Sequence, residues 1–342
     1  MFFGEKSMTN ELPSDYHARP ARMDDLEVTV GMFNAEALHQ IGVEKFRVQD
    51  IGGEWRTPGF NLETDTQVVL TPDGQLVGYY EVWDILQPHV TVHCWGRVHP
   101  AHTGRGIGSY LLAWAEERAR QAIPKTPAEA RVAMACFALN QNQAAQALFQ
   151  DAGMQLVRHS LRMVLALNGS PALPQWPGGI NLRRLVVNRD ERSVVQTIRE
   201  AFSDHWGFVE SPFEDEYARW MHLIDTNDDF DPDLWYLAWD GEEIAGVSLC
   251  WPNAHDDAEM GWVGTLGVRR PWRRRGLGLA LLQHSFGEFY RRGRRRVGLG
   301  VDAQNLTGAL RLYERAGMHS DPARQYCHYE KELRPGLDLR KQ

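Results

Sequence analysis

At 342 residues, with 43% hydrophobic and 24% charged residues, the chain is long enough for two domains of ordinary size and has the composition of a soluble globular protein. A net charge of -8 argues against a nucleic-acid binder, and no apolar run approaches the roughly 18 residues of a membrane span. The N-terminal MFFGEKSMTNELPS lacks the apolar core of a signal peptide, so the expected location is the cytoplasm. Cys94, Cys136, Cys250 and Cys327 are scattered without a CxxC pair, which predicts reduced thiols and no metal site.

In chain order the first element is an amphipathic helix near Leu26–Ile41. VVLTPDGQLVGYYEVW (Val68–Trp83) sets two apolar runs around Asp73-Gly74, which predicts a β-hairpin because this dipeptide tolerates the positive φ of a tight turn. A third strand ends at Val98 and leads into HPAHTGRGIGSYLL, a Gly-rich turn that opens a helix. A strand over Arg131–Leu139, a helix stopping at Gly153 and a last strand follow. NGSPALPQWPGG (Asn168–Gly179) breaks helix and strand alike and reads as a linker. The same order then repeats. A helix at Glu191–Phe202 precedes a hairpin around Asp240-Gly241 and a third strand ending at Val268. The turn RRPWRRRGLGLALL, a strand at Arg296–Val301 and a helix ending at Gly317 complete the second copy.

Hairpin, turn and Gly-terminated helix recur at a nearly constant offset, which marks an internal duplication. The expected fold is α/β or α+β, with a sheet that the hairpins make mixed and helices on its faces. Expected boundaries are a flexible N-terminus over 1–15, an N-terminal domain over 16–167, a linker over 168–179, a C-terminal domain over 180–334 and a tail over 335–342.

A strand running into RxxGxG and a helix is suited to an anion. Glycine lets the backbone approach a ligand, and the free N–H groups and dipole of the first helical turn point at it. No Lys-Ser or Lys-Thr follows these glycines, as a P-loop requires, and no third glycine completes a dinucleotide fingerprint. What remains is Arg273-Arg274-Arg275-Gly276-Leu277-Gly278 after Leu266-Gly267-Val268, followed downstream by VDAQNLTGALRLYERAGM (Val301–Met318). These motifs resemble those of the GNAT N-acetyltransferase superfamily, in its tandem two-domain type.

The resemblance implies two tandem GNAT-like domains, each a mixed, mostly antiparallel twisted sheet flanked by helices, and it implies acetyl-CoA as cofactor. It places the backbone of Leu266, Gly267 and Val268 along the pantetheine arm, and Arg273, Arg274, Arg275, Gly276, Leu277, Gly278 and Leu279 at the pyrophosphate. Asn305 would contact the arm, and Tyr313 would stand near the sulfur as the acid for the departing thiolate. Glu259 is the proposed base, with Asp204, His205 and Glu210 as further candidates, His255 and Asp256 behind them, and a water path as the alternative. Asp204, His205, Trp206 and Glu210 would border the acceptor. In the first half Thr103 replaces Arg273 and Phe149 replaces Tyr313. That half is therefore expected to be degenerate and non-catalytic, with Val98, Gly104, Arg105, Gly106, Ile107 and Gly108 keeping a cofactor cradle.

The implied activity is acetyl transfer to a primary amine of a small molecule, by a monomer or homodimer that binds neither nucleic acid nor membrane. Alternatives are a peptide or protein α-amine acceptor, or an acyl-CoA-binding sensor without turnover. Acidic residues from Asp204 to Asp233 predict a cationic acceptor drawn in by local negative potential.

Overall fold

The computed structural model describes residues 11–304 and 308–341. It divides into two compact units, the first running to Arg158 and adding Tyr326–Leu339, the second comprising His159–Gln325 and Arg340–Gln342.

The first unit contains β1 (His17–Arg19), α1 (Leu26–Ile41), α2 (Val48–Glu54), α3 (Leu62–Asp65), β2 (Thr66–Leu70), β3 (Leu76–Trp83), β4 (Thr91–Val98), α4 (Ile107–Arg120), β5 (Val132–Leu139) and α5 (Gln143–Asp151). Next comes β6 (Gln155–Ala166), most of which belongs to the second unit. That unit continues with β7 (Ile180–Arg184), α6 (Glu191–Phe202), α7 (Phe213–Thr226), β8 (Trp235–Asp240), β9 (Glu243–Trp251), β10 (Met260–Val268), α8 (Leu277–Arg291), β11 (Arg296–Asp302), α9 (Ala309–Arg315) and β12 (His319–Arg334). Both hairpins form where Asp-Gly predicts them, with Gly74 at φ +87 and Gly241 at φ +58. In each unit one strand pair is parallel, β4 with β5 and β10 with β11, and the other pairings within the unit are antiparallel.

Alternation along the strands sends successive side chains to opposite faces. On β5, Val132, Met134, Cys136 and Ala138 join a core with Leu111, Leu112 and Ala115 of α4 and Phe149 of α5. The opposite face of the first sheet carries Phe33, Trp55, Tyr79 and the half-buried Trp95 beside α1 and α2. The second unit repeats this arrangement. Leu281, Phe286 and Phe289 of α8 pack on Val297 and Leu299, and Val194 and Ile198 of α6 pack near Trp235 and Leu249. All four cysteines are buried and none is in a disulfide, and no described helix is long and apolar enough to cross a membrane.

The composition of the units differs from the expected boundaries. The strand ending the first half, from Ser160 to Ala166, pairs antiparallel with β11. The strand ending the second half, from Tyr326 to Arg334, pairs antiparallel with β5. The halves have therefore exchanged their last strands. The hydrogen-bonding edge of β5 is satisfied by either copy, so the pattern of apolar residues does not decide between them. Leu12 and Tyr16 pack against the first core, so the expected flexible N-terminus does not reach across residues 11–15.

Several carboxyls are buried in the first unit, Asp65 and Asp84 among them beside Arg118. Glu81 on β3 is fully buried, accepting from the Tyr79 hydroxyl at 2.6 Å and from Trp83 Nε1 at 2.6 Å. Burial, reinforced by the Glu54 charge, outweighs these hydrogen bonds and pushes its pKa up to about 8.

Candidate functional site

In each unit the parallel strand pair separates part-way along. β10 pairs with β11 from Met260 to Val263, and β4 with β5 from Thr91 to His93. Beyond those points each first strand continues beside its antiparallel neighbour alone, Leu266–Val268 with β9 and Cys94–Val98 with β3. A break in register between Val263 and Thr265 marks the start of the separation in the second unit.

The turns that follow are superimposable in conformation. Arg273 and Thr103 are extended at φ -66 and φ -67, and the helices open on Gly276 at φ +87 and Gly106 at φ +82. The first of the two residues between them is left-handed in both copies, Gly104 at φ +74 and Arg274 at φ +61. A non-glycine residue there costs roughly 1–2 kcal/mol, so the second turn carries an arginine against local strain. Leu277 and Ile107 are buried and anchor the turns in their cores. The amides that follow have no partner within the helix. A Cβ on Gly278 would lie 3.2 Å from Leu312 and 3.7 Å from Val268, and one on Gly108 would lie 3.3 Å from Leu148. Both positions therefore also let α8 and α4 pack closely on their neighbours.

The arginines divide into two groups. Arg273 turns away from the cradle: Nε donates to Val268 O at 3.0 Å and Nη2 to Ala201 O at 2.8 Å. Its Nη1 meets Asp204 at 2.5 Å, holding that carboxyl down at about 2. Arg273 and Asp204 thus brace the end of β10 against the end of α6, and neither is free for the pyrophosphate or the acceptor as expected. Arg269 is bound by Glu200 at 2.6 Å and Glu243 at 2.9 Å. Arg274 and Arg275 are exposed and make no ion pair among the described residues, which leaves their charge available at the cradle.

Glu259 precedes β10 at the end where β10 and β11 are joined, its side chain is 76% exposed, and it faces Arg296 at 3.8 Å. Tyr313 on α9 is 7% exposed, in the core cluster beneath the turn, and burial pushes its phenol up to about 12. Its hydroxyl makes no hydrogen bond among the described residues. Asn305 lies outside the described residues.

Phe202 lies close against Gly267, and the His205 ring packs edge-on against Phe202 at 4.5 Å between centroids. Burial lowers the His205 pKa, while the charges of Asp204 and Asp302, the latter at the end of β11, act in the opposite direction. His205 therefore sits where the strands diverge. Trp206 is covered by the Arg340 guanidinium at 5.4 Å, and the exposed Glu210 faces Arg199 at 3.6 Å. The acidic segment is partly neutralised, because Glu216, Asp231 and Asp233 also meet arginines.

The first unit contains a cavity of about 410 Å3 that passes between the separated strands. One end is lined by Val98, Gly104, Gly106, Gly108 and Phe149, on the α4 face. The other reaches Trp95, Arg97, Lys45, Phe46, Phe137 and Tyr326. Arg105 donates to the Tyr16 hydroxyl at 3.1 Å at the rim. No local sequence signal marks this second end, because Tyr326 arrives with the exchanged strand and Lys45 lies in an unremarkable loop.

A family model described as the acetyltransferase (GNAT) family matches the chain twice, over residues 35–154 and 195–318. The chain belongs to the GNAT family. A mycothiol acetyltransferase of Streptomyces scabiei is 31% identical over 227 residues, covering 64% of this chain and 66% of that protein. A GCN5-related N-acetyltransferase from Sphaerobacter thermophilus is 36% identical in its crystal structure, with a TM-score of 0.76 over 96% of this chain and 99% of that one. A tandem GNAT protein from the clavulanic acid biosynthesis pathway has the same fold at 16% identity, with a TM-score of 0.69 over 94% of this chain and 99% of that one.

This GNAT chain is an acyltransferase, and acetyl-CoA is its cofactor. The residues fit that group. Each unit offers a gap between strands, backbone edges left unpaired along it and a glycine turn with free amides, and the first unit shows a cavity joining these features.

Proposed function

We propose that the second half of the chain transfers the acetyl group of acetyl-CoA to a primary amine of a small-molecule acceptor. The cofactor supplies an acetyl group activated as a thioester. Leu266, Gly267 and Val268 hold its arm, and the amides from Gly276 to Leu279, with Arg274 and Arg275, hold its phosphates. The observation that carries the reading is Tyr313, a buried phenol raised to about 12, on a helix whose Leu312 packs close to Gly278. Such a phenol stays protonated near neutral pH and can give its proton to the departing sulfur.

Of the candidate bases, His205 is the proton acceptor that burial favours over the exposed Glu259. Burial keeps it neutral at pH 7, and it lies where the strands part. A neutral imidazole can take the proton an ammonium must lose before its nitrogen attacks. Relatives named for mycothiol support a small acceptor. Asp225 and Asp228, which make no ion pair among the described residues, support a cationic one that approaches by electrostatic attraction. The first half then keeps a cofactor cradle at Val98, Gly104, Arg105, Gly106, Ile107 and Gly108 without an acid, since Phe149 stands for Tyr313.

Tyr313→Phe tests the assignment. kcat should fall by about 10²-fold or more while acetyl-CoA affinity by calorimetry stays within about twofold. The acid limb of kcat/KM should fall below the ordinary histidine value of 6.5 and disappear in His205→Gln. A Tyr313→Phe protein of full stability that keeps its kcat would place catalysis elsewhere.

A further inference from the structure

The α1-facing end of the first unit's cavity has a composition that cofactor binding does not require. The Lys45 ammonium lies over two rings, 5.5 Å from the centre of Phe46 and 5.8 Å from the centre of Tyr326. Its one hydrogen bond is a long one, 3.5 Å to the Tyr326 hydroxyl, and it meets no carboxylate among the described residues. Arg97 beside it is neutralised by Glu36 at 3.3 Å, so Lys45 leaves this end with one uncompensated positive charge. Trp95 stands parallel to Phe46 with the centroids 6.4 Å apart. Phe137, 43% exposed, presents an uncovered ring beside Tyr326, 6.0 Å between centroids.

A partly buried cation framed by aromatic faces in a concave site selects an anion with an apolar body. An ammonium ligand would meet Lys45 with like charge. A neutral one would leave the lysine uncompensated in a site that the ligand dries. We infer that this end of the first unit is a binding site for a small carboxylate carrying an apolar or aromatic body, with Lys45 pairing the carboxylate and Phe46, Trp95, Phe137 and Tyr326 enclosing the body. The site lies outside the second half's machinery and needs no acyl-CoA to fill it. It therefore stands whether or not Tyr313 is the acid.

The test is calorimetric titration of the full chain, without acyl-CoA, using phenylacetate and hexanoate as probes and phenylacetamide and phenethylammonium as controls. At least one acid should bind saturably below about 10 mM. The amide and the ammonium should bind at least about tenfold more weakly, matching the worth of a charge-assisted hydrogen bond. Lys45→Met, which keeps an unbranched apolar stem one atom shorter, should lose acid binding by at least tenfold at an unchanged melting temperature, and Lys45→Arg should retain it. Tyr313→Phe should bind the acid as the parent does. Failure of both acids to saturate, equal binding of the amide, or undiminished binding by a folded Lys45→Met protein would each overturn the inference.

Discussion

Glu81 gives the first sheet a pH dependence of stability that can be calculated and then removed. Its carboxyl ionises near the ordinary value of 4.5 in the unfolded chain and near 8 in the folded one. Between those values the native state holds a proton that the unfolded state has released, so stability falls as pH rises, by about 1.4 kcal/mol per unit. The loss begins near pH 4.5, is complete above pH 8, and reaches roughly 5 kcal/mol over the full window. Glu81→Gln retains a neutral group that can accept from Trp83 and pair with the Tyr79 hydroxyl, yet it has no proton to lose. Urea unfolding of both proteins at pH 5.5 and pH 8.0, followed by circular dichroism, isolates the effect, because every other titrating group cancels in the double difference. The variant should gain about 3 kcal/mol on the parent between these pH values. If the two proteins changed in parallel to within about 0.5 kcal/mol, Glu81 would be ionised in the fold and the argument from burial wrong.

Other perturbations separate the roles of the turn and of the discarded base. Arg274→Gly should stabilise the second unit by up to about 1 kcal/mol, relieving the left-handed conformation at φ +61, yet weaken acetyl-CoA binding several-fold through the lost charge. Thermal melting and calorimetry on the same protein read the two effects, and a gain in both would deny the arginine a part in binding. Glu259→Gln should leave kcat and KM unchanged, and a drop of tenfold or more in kcat would restore it as a candidate base.

What the sequence announced clearly was local chemistry. Asp73-Gly74 and Asp240-Gly241 specify their turns through backbone conformation, and Gly106 and Gly276 specify their helix starts in the same way, so the duplication could be read without any tertiary information. The motif of the second turn pointed to the cofactor for the same reason. Direction in space was harder to read. Nothing in RRRGLG says that Arg273 folds back to Asp204 while Arg274 and Arg275 face outward, because that choice depends on an acid 69 positions away. Nearness to the start of β10 does not say where the Glu259 side chain goes, and it faces Arg296 in an exposed position. The pairing of Lys45 with Tyr326 spans 281 positions and depends on which copy of the last strand completes the first sheet, which no local pattern encodes.

That exchange of last strands sets the order in which the protein can be assembled. While the chain is being synthesised, β1 to β5 can collapse early, but the edge of β5 stays open until residues up to Arg334 have emerged. A ribosome paused near the linker would display an unsealed sheet, the kind of edge that recruits other strands and aggregates. Cutting the gene at residues 168–179 leaves each fragment with the strand that the other uses in the intact fold, so each half alone would have to close its sheet with its own copy. Co-expression of the two fragments offers both strands again, and an engineer who wants one half with its native pairing must graft its partner's terminal strand onto it. In the intact fold each copy of the duplicated plan is completed by the other's last strand.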